Sequence, residues 1–236
     1  MSIATSQTIQ LFLTETDKCS YLDDREQRML LVDPNHPLDN SLATYFSNHG
    51  FRRSGNMTYR PKCDACQQCI SVRVPAIHYS PSKSQRRIIK KNKDLQVILE
   101  PLDHALDYFS LYYEYQKSRH PDGSMCDSSE EKYLTFIQSD FTDTALMVRR
   151  LGTKVISVSI MDLFHDGASL LYTFFDPNFS NLIPGKAAIV DAISYCRHQG
   201  LPYVYLGFWI KDSPKMNYKT QFQPLEGYFD GEWKMM

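Results

Sequence analysis

Along this chain the apolar positions change their spacing near residue 95. Before that point they come in short pieces between turn-forming strings such as Asp33-Pro34-Asn35, Ser54-Gly55-Asn56 and Arg60-Pro61. Three stretches there are regular enough to predict elements. Leu38 to His49 reads as a helix, capped by Asp39 or Asn40 and closed by Gly50. Ser71 to Ala76 alternates at Val72 and Val74 and predicts a strand. Ser82 to Lys93 predicts a helix that carries Lys83, Arg86, Arg87 and Lys90 on one face. After Asp94 the periodicity sharpens. Leu102 to Arg119 and Ser129 to Ser139 read as helices, separated by the breaker His120-Pro121-Asp122-Gly123. Ala145–Arg150, Val155–Asp162 and Ser169–Asp176 read as strands joined by Gly152-Thr153 and His165-Asp166-Gly167, an antiparallel meander. A helix from about Lys186 to Gln199 and a strand Tyr203–Trp209 follow, and then a Lys- and Tyr-rich tail. The fold class expected is α+β. A small irregular N-terminal domain would span 1–95, and a second domain with a central, mostly antiparallel sheet would span 96–236.

Composition narrows the function classes. With 236 residues, 42% of them hydrophobic, the chain can bury a sizeable core and does not have the make-up of a disordered protein. No apolar run approaches a membrane span, and Met1 to Thr16 lacks the charged start and small-residue cleavage site of a secretory leader. Six cysteines, three of them clustered, fit reduced thiols or a metal site better than a secreted disulfide scaffold. A cytoplasmic protein with no membrane partner is expected. Net charge is −1, but its distribution is lopsided. Arg52 to Lys93 holds eleven Lys/Arg and a single acid, Asp64, while the rest of the chain is acidic. A block at +10 points to a polyanion, with nucleic acid first among the candidates.

The order of elements after residue 95 resembles an N-acetyltransferase-like (GNAT) core. In that fold the helix after the third strand offers free N–H groups and a positive dipole end to a ligand. Here the loop before it, Asn178 to Gly185, has one glycine, so the pyrophosphate cradle of a coenzyme A user is weak. That suggests a different acyl donor. Ordered strings carry a closer resemblance: Cys19-Ser20-Tyr21-Leu22, Gly50-Phe51-Arg52-Arg53-Ser54-Gly55, Tyr59-Arg60-Pro61, Ser82-Lys83-Ser84-Gln85-Arg86-Arg87, Phe175-Asp176-Pro177, Leu206-Gly207-Phe208-Trp209-Ile210 and Pro214-Lys215-Met216-Asn217-Tyr218-Lys219. Together they resemble the arginyl-tRNA–protein transferase superfamily, most closely its bacterial aspartate/glutamate leucyltransferases. The resemblance implies an enzyme that moves leucine from Leu-tRNA to proteins with N-terminal Asp or Glu, marking them for proteolysis. It departs from the family at Leu182-Ile183-Pro184-Gly185, where a Ser-Leu-Gly-like loop is usual. Three alternatives stay open: an arginyltransferase using Arg-tRNA with the same acceptors, a CoA-dependent N-acetyltransferase, and a non-catalytic RNA-binding protein.

Within that frame each group has an expected task. The ester donor is already activated and the acceptor α-amine is largely neutral near physiological pH, so no cofactor is required for the chemistry. Asp176, with Tyr172 on the same strand, is the candidate for orienting or deprotonating the amine, although Asp-Pro also starts turns. Arg73, Lys83, Arg86 and Arg87 are candidates for the acceptor carboxylate. Arg52, Arg53, Lys90, Lys91 and Lys93 are assigned to tRNA phosphates, and Lys215, Tyr218 and Lys219 to the terminal adenosine. Phe174, Phe208 and Trp209 are candidate walls of a leucine pocket. Cys63, Cys66 and Cys69, with Cys19, have the spacing of a Zn or Fe–S site, and reduced structural thiols are as good a reading. Longer members of the superfamily hold an iron–sulfur cluster, but Leu22 stands where they have a second cysteine in the first motif.

Overall fold

A computed structural model describes residues 8–123 and 125–236. The first seven residues, part of the leader reading above, lie outside the described residues. In chain order the first strands are β1 Leu11–Leu13, β2 Asp17–Lys18, β3 Glu26–Gln27, β4 Met29–Val32, β5 Arg52–Ser54, β6 Met57–Pro61 and β7 Ile70–Pro75. They continue as β8 Gln96–Pro101, β9 Asp143–Leu151, β10 Lys154–Phe164, β11 Gly167–Phe175, β12 Tyr203–Trp209, β13 Glu226–Phe229 and β14 Glu232–Met235. The α-helices are α1 Asn40–Asn48, α2 Lys83–Lys91, α3 Phe109–Arg119, α4 Glu130–Ile137 and α5 Pro184–Gln199. Among the described residues no helix is long and apolar enough to cross a membrane.

The chain is α+β. A small antiparallel sheet, β1-β4-β6-β5, packs beside an eight-stranded sheet ordered β14-β13-β7-β12-β11-β10-β9-β8. Within the large sheet only β11 and β12 run parallel. The helices divide between its faces. Ala188, Ile189, Ala192 and Ile193 of α5 close one core against Val72, Val74 and Val204. Tyr112 of α3 and Tyr133 and Ile137 of α4 close the other against Val148, Val158 and Phe174. The alternation of each strand feeds both cores, as a sheet buried on two faces requires.

Local chemistry accounts for the helix starts. Asp39 accepts the N–H of Leu42, and Ser129 accepts that of Lys132. Ser82 and Gln85 form a reciprocal capping box on α2. Gly200 closes α5 in the left-handed region at φ 70°.

The division expected at residue 95 is not a clean one. β7, from the first part, lies inside the large sheet between β12 and β13, so the N-terminal segment contributes a strand to the second domain. Two features were not anticipated. β8 adds an edge strand, and the tail folds into the β13–β14 hairpin over Asp230 (φ 52°) and Gly231 (φ 87°).

Candidate active site

β11 and β12 pair only from Gly167/Tyr203 to Ser169/Tyr205. Beyond that point they part, because β12 bulges at Leu206 and follows β7 while β11 stays with β10. Gly207 sits at the bend with φ 75°. The opening is a cleft of about 680 Å³, walled by the small sheet, the end of α3, the start of α5 and the tail. Every charged residue on its lining is basic: Arg52, Arg53, Arg119, Lys186, Lys215 and Lys219. No acidic side chain among the described residues lines it.

Arg52 comes from β5 into the gap between the parted strands. Its Nη2 donates to Leu170 O at 3.3 Å, and a Cβ built on Gly207 would fall 1.0 Å from its Nη1. Only glycine leaves that space. Lys219 enters from the tail, 5% exposed, and its ammonium donates to Phe208 O. Burial pushes its pKa down to about 7, and the neighbouring Arg52 pushes the same way. At the rim, His120 has its pKa lowered by burial first and then by Lys215 and Arg119. The imidazole is therefore neutral at physiological pH.

α5 begins at the floor of the cleft. Ile183, its N-cap, is left-handed at φ 57° and ψ 52°, a conformation costly for a β-branched residue. α2 holds the preceding loop in place: Lys91 Nζ donates to Asn181 O at 2.8 Å and Asn92 Nδ2 to Leu182 O at 2.9 Å. Buried Arg149 donates to Pro184 O at 2.9 Å. Pro184 has no N–H and that of Ala187 is bonded to Ile183 O, which leaves the N–H groups of Gly185 and Lys186 in the first turn. Both residues line the cleft.

Several expected site residues lie elsewhere. Asp176 is 4% exposed and does not line the cleft. It caps the following turn through Asn178 N and pairs with Lys154 Nζ at 2.9 Å. Its carboxyl is held below the usual range, because hydrogen bonds from Lys154 and Asn178 outweigh a burial contribution that acts to raise it. Tyr172 does line the cleft; its hydroxyl accepts from Gln116 Nε2 at 3.0 Å, and burial raises its pKa, so it stays protonated. Arg73 is 6% exposed and fully engaged. It donates to Glu226 Oε2 at 2.7 Å and Asn48 Oδ1 at 2.8 Å, and lies 3.5 Å over the Tyr203 ring. It does not line the cleft. Lys83, Arg86 and Arg87 are exposed on α2, away from the cleft lining.

Among the residues expected on tRNA phosphate, Arg53 is buried. It donates to Asp162 Oδ2 at 2.8 Å, to Ile137 O at 2.9 Å and to Thr144 Oγ1 at 3.0 Å, which ties β5 to α4 and β10. Lys90, Lys91 and Lys93 are solvent-exposed. Lys215, Tyr218 and Lys219 all reach the cleft. Of the leucine-pocket candidates only Phe208 lines it. Phe174 is fully buried in the core and Trp209 packs against the α5 side. The apolar walls are instead Met125, Phe136, Leu171 and Phe175 beside Tyr172.

The four cysteines stand near one another. Burial first, then Cys63, Cys19 and Cys66, push the Cys69 thiol up to about 12. Yet among the described residues no group of three or more such side chains is gathered so as to hold a metal ion. No chemical step is routed through them.

Two family comparisons decide the lineage. Residues 17–87 match the family described as arginine-tRNA-protein transferase, N terminus, and residues 107–229 match its C-terminal counterpart. The chain belongs to the arginine-tRNA-protein transferase family. Among its relatives is an aspartate/glutamate leucyltransferase of Alcanivorax borkumensis, 41% identical over 96% of this chain and 94% of the relative. Proteins of the same name from Marinobacter nauticus and Pseudomonas aeruginosa are each 38% identical, over 98% and 95% of this chain and 97% and 96% of theirs. In this arginine-tRNA-protein transferase family member the motif residues Arg52, Gly207, Phe208 and Lys219, far apart in sequence, meet at the parting of β11 and β12.

Proposed function

We propose that this chain is an aminoacyltransferase that moves leucine from leucyl-tRNA to the α-amino group of proteins beginning with Asp or Glu. The observation that carries the choice of leucine is the acid-free lining of the cleft. An arginyl side chain would meet cations and no carboxylate there, whereas Phe136, Leu171 and Tyr172 offer an apolar wall to a leucyl side chain. The α5 start has no glycine cradle for coenzyme A, and the exposed cations of α2 adjoin the loop that leads into the cleft. Lys83, Arg86, Arg87, Lys90, Lys91 and Lys93 would follow tRNA phosphate to that entrance. Lys215 and Tyr218 at the rim would hold the terminal adenosine by charge and stacking.

The chemistry follows from position. The acceptor nitrogen attacks the ester carbonyl carbon, forming a C–N bond while the C–O bond to the terminal ribose breaks. Neutral His120 takes the proton leaving the amine and passes it to the departing ribose oxygen, which leaves as a hydroxyl. The N–H groups of Gly185 and Lys186 would stabilise the developing oxyanion. Purified protein incubated with labelled leucyl- or arginyl-tRNA and peptides starting with Asp, Glu, Arg or Ala tests this. Leucine transfer to the Asp and Glu peptides alone is expected. Transfer of arginine, or of leucine to the Arg peptide, would overturn it.

A further inference from the structure

Arg52 and Lys219 form an unusual pair. Lys219 is almost wholly buried and Arg52 half-buried, and their charged ends lie against consecutive peptides of one strand, Gly207 and Phe208. Their protein partners are carbonyl oxygens, Leu170 O and Phe208 O, and among the described residues neither has a salt bridge. Elsewhere buried arginines have acids: Arg53 has Asp162, Arg73 has Glu226 and Arg149 has Asp191. A buried cation beside a half-buried one, with no anion among the described residues to pair them, is costly to fold around, so the missing charge is best supplied by a ligand.

We infer that Arg52 and Lys219 together bind the side-chain carboxylate of the acceptor's N-terminal Asp or Glu, and thereby select acidic acceptors. This rests on the reading proposed above and replaces the assignment of both residues to tRNA. Three features favour an anion here, and the first of them favours a carboxylate over a phosphate. The pair sits inside the gap between the parted strands, where a terminal side chain fits and a nucleic-acid backbone does not. Arg52 presents a fork suited to a two-oxygen partner. No carboxylate among the described residues lines the cleft around the pair; the other ionisable groups there are bases, His120 and tyrosines. The depressed pKa of Lys219 is the expected signature of an unfilled anion site, since a bound carboxylate would favour its charged form.

The test is equilibrium binding of fluorescent peptides beginning with Asp or with its uncharged isostere Asn to the full chain, without tRNA. The unaltered protein is expected to prefer Asp. Arg52→Gln and Lys219→Gln should each weaken the Asp peptide about tenfold or more and leave the Asn peptide unchanged. Arg52→Lys keeps the charge and should retain part of the preference, which separates loss of the site from loss of the fold. Equal binding of the two peptides by the unaltered protein, or equal losses for both in the variants, overturns the inference. Leucine transfer is measured separately: a protein that prefers Asp through these residues but transfers no leucine contradicts the proposed function and not the carboxylate site.

Discussion

Arg52 and Arg53 are neighbours on one short strand, and the molecule uses them in opposite ways. Strand alternation sends them to different faces. Arg53 enters the seam between the small sheet and the large one, where Asp162 and the carbonyls at the end of α4 account for its donors. Arg52 enters the cleft, where one carbonyl accepts from it and no acid faces it. The seam is neutralised and the cleft is not. A buried arginine with its own acid is architecture, whereas one left without an acid, beside a buried lysine in the same state, marks a place where an anionic ligand completes the structure.

Removing the seam charge should have the largest effect. Arg53→Ala leaves Asp162 buried without its partner and should destabilise the fold by about 3–5 kcal/mol in denaturant unfolding. Arg52→Ala should alter stability by less than that and abolish the preference for acidic acceptors; a stability loss as large as that of Arg53→Ala would erase the distinction between the two regions. Gly207→Ala comes next. Its Cβ would take the place of Arg52 Nη1 at φ 75°, costing about 1–2 kcal/mol by thermal unfolding and displacing the guanidinium.

Lys219→Met is expected to stabilise the protein, in a pH-dependent way. Because the folded pKa is lowered to about 7 from 10.5, the stability associated with Lys219 is full above 10.5 and is lost as pH falls to about 7. The advantage of the methionine variant should therefore be greatest at and below pH 7 and fade by pH 10, measured as the difference in melting temperature. Arg52 and Tyr218 face the same spot and should be titrated as controls. The smallest effect on stability should come from Lys83→Ala, Arg86→Ala and Lys90→Ala on α2, each within about 0.5 kcal/mol. Their effect belongs in tRNA binding, where each phosphate contact removed should lower the salt dependence by roughly one unit of slope.

Much of the fold was legible because local signals agreed with it. Ser82 with Gln85, Asp39, Ser129 and Gly200 marked helix ends that the structure keeps, and the three-strand meander follows its turn residues. The tail hairpin was equally marked by Asp230-Gly231, a signal passed over among the lysines and tyrosines. β8 was harder to see, since Val97, Ile98 and Leu99 do not alternate and lie exposed on the edge strand. The site was only half legible. Charge counting located the basic block, but counting cannot tell Arg73, paired across β7 and β13 with Glu226, from Arg52, which has no pair. That difference depends on what stands opposite in space. The partners of Asp176 are equally a matter of space, since Lys154 and the turn it caps absorb its carboxylate. His120 looked like a plain helix breaker until α3 and the tail brought it to the cleft rim beside Lys215.

The claim that the cleft is built for an uncharged aminoacyl side chain and an acidic acceptor is tested most directly by competition. Equal amounts of leucyl- and arginyl-tRNA are offered together with a peptide beginning with Asp, and the product is read by mass spectrometry. The acid-free lining predicts a peptide extended by leucine. A peptide extended by arginine would contradict the account.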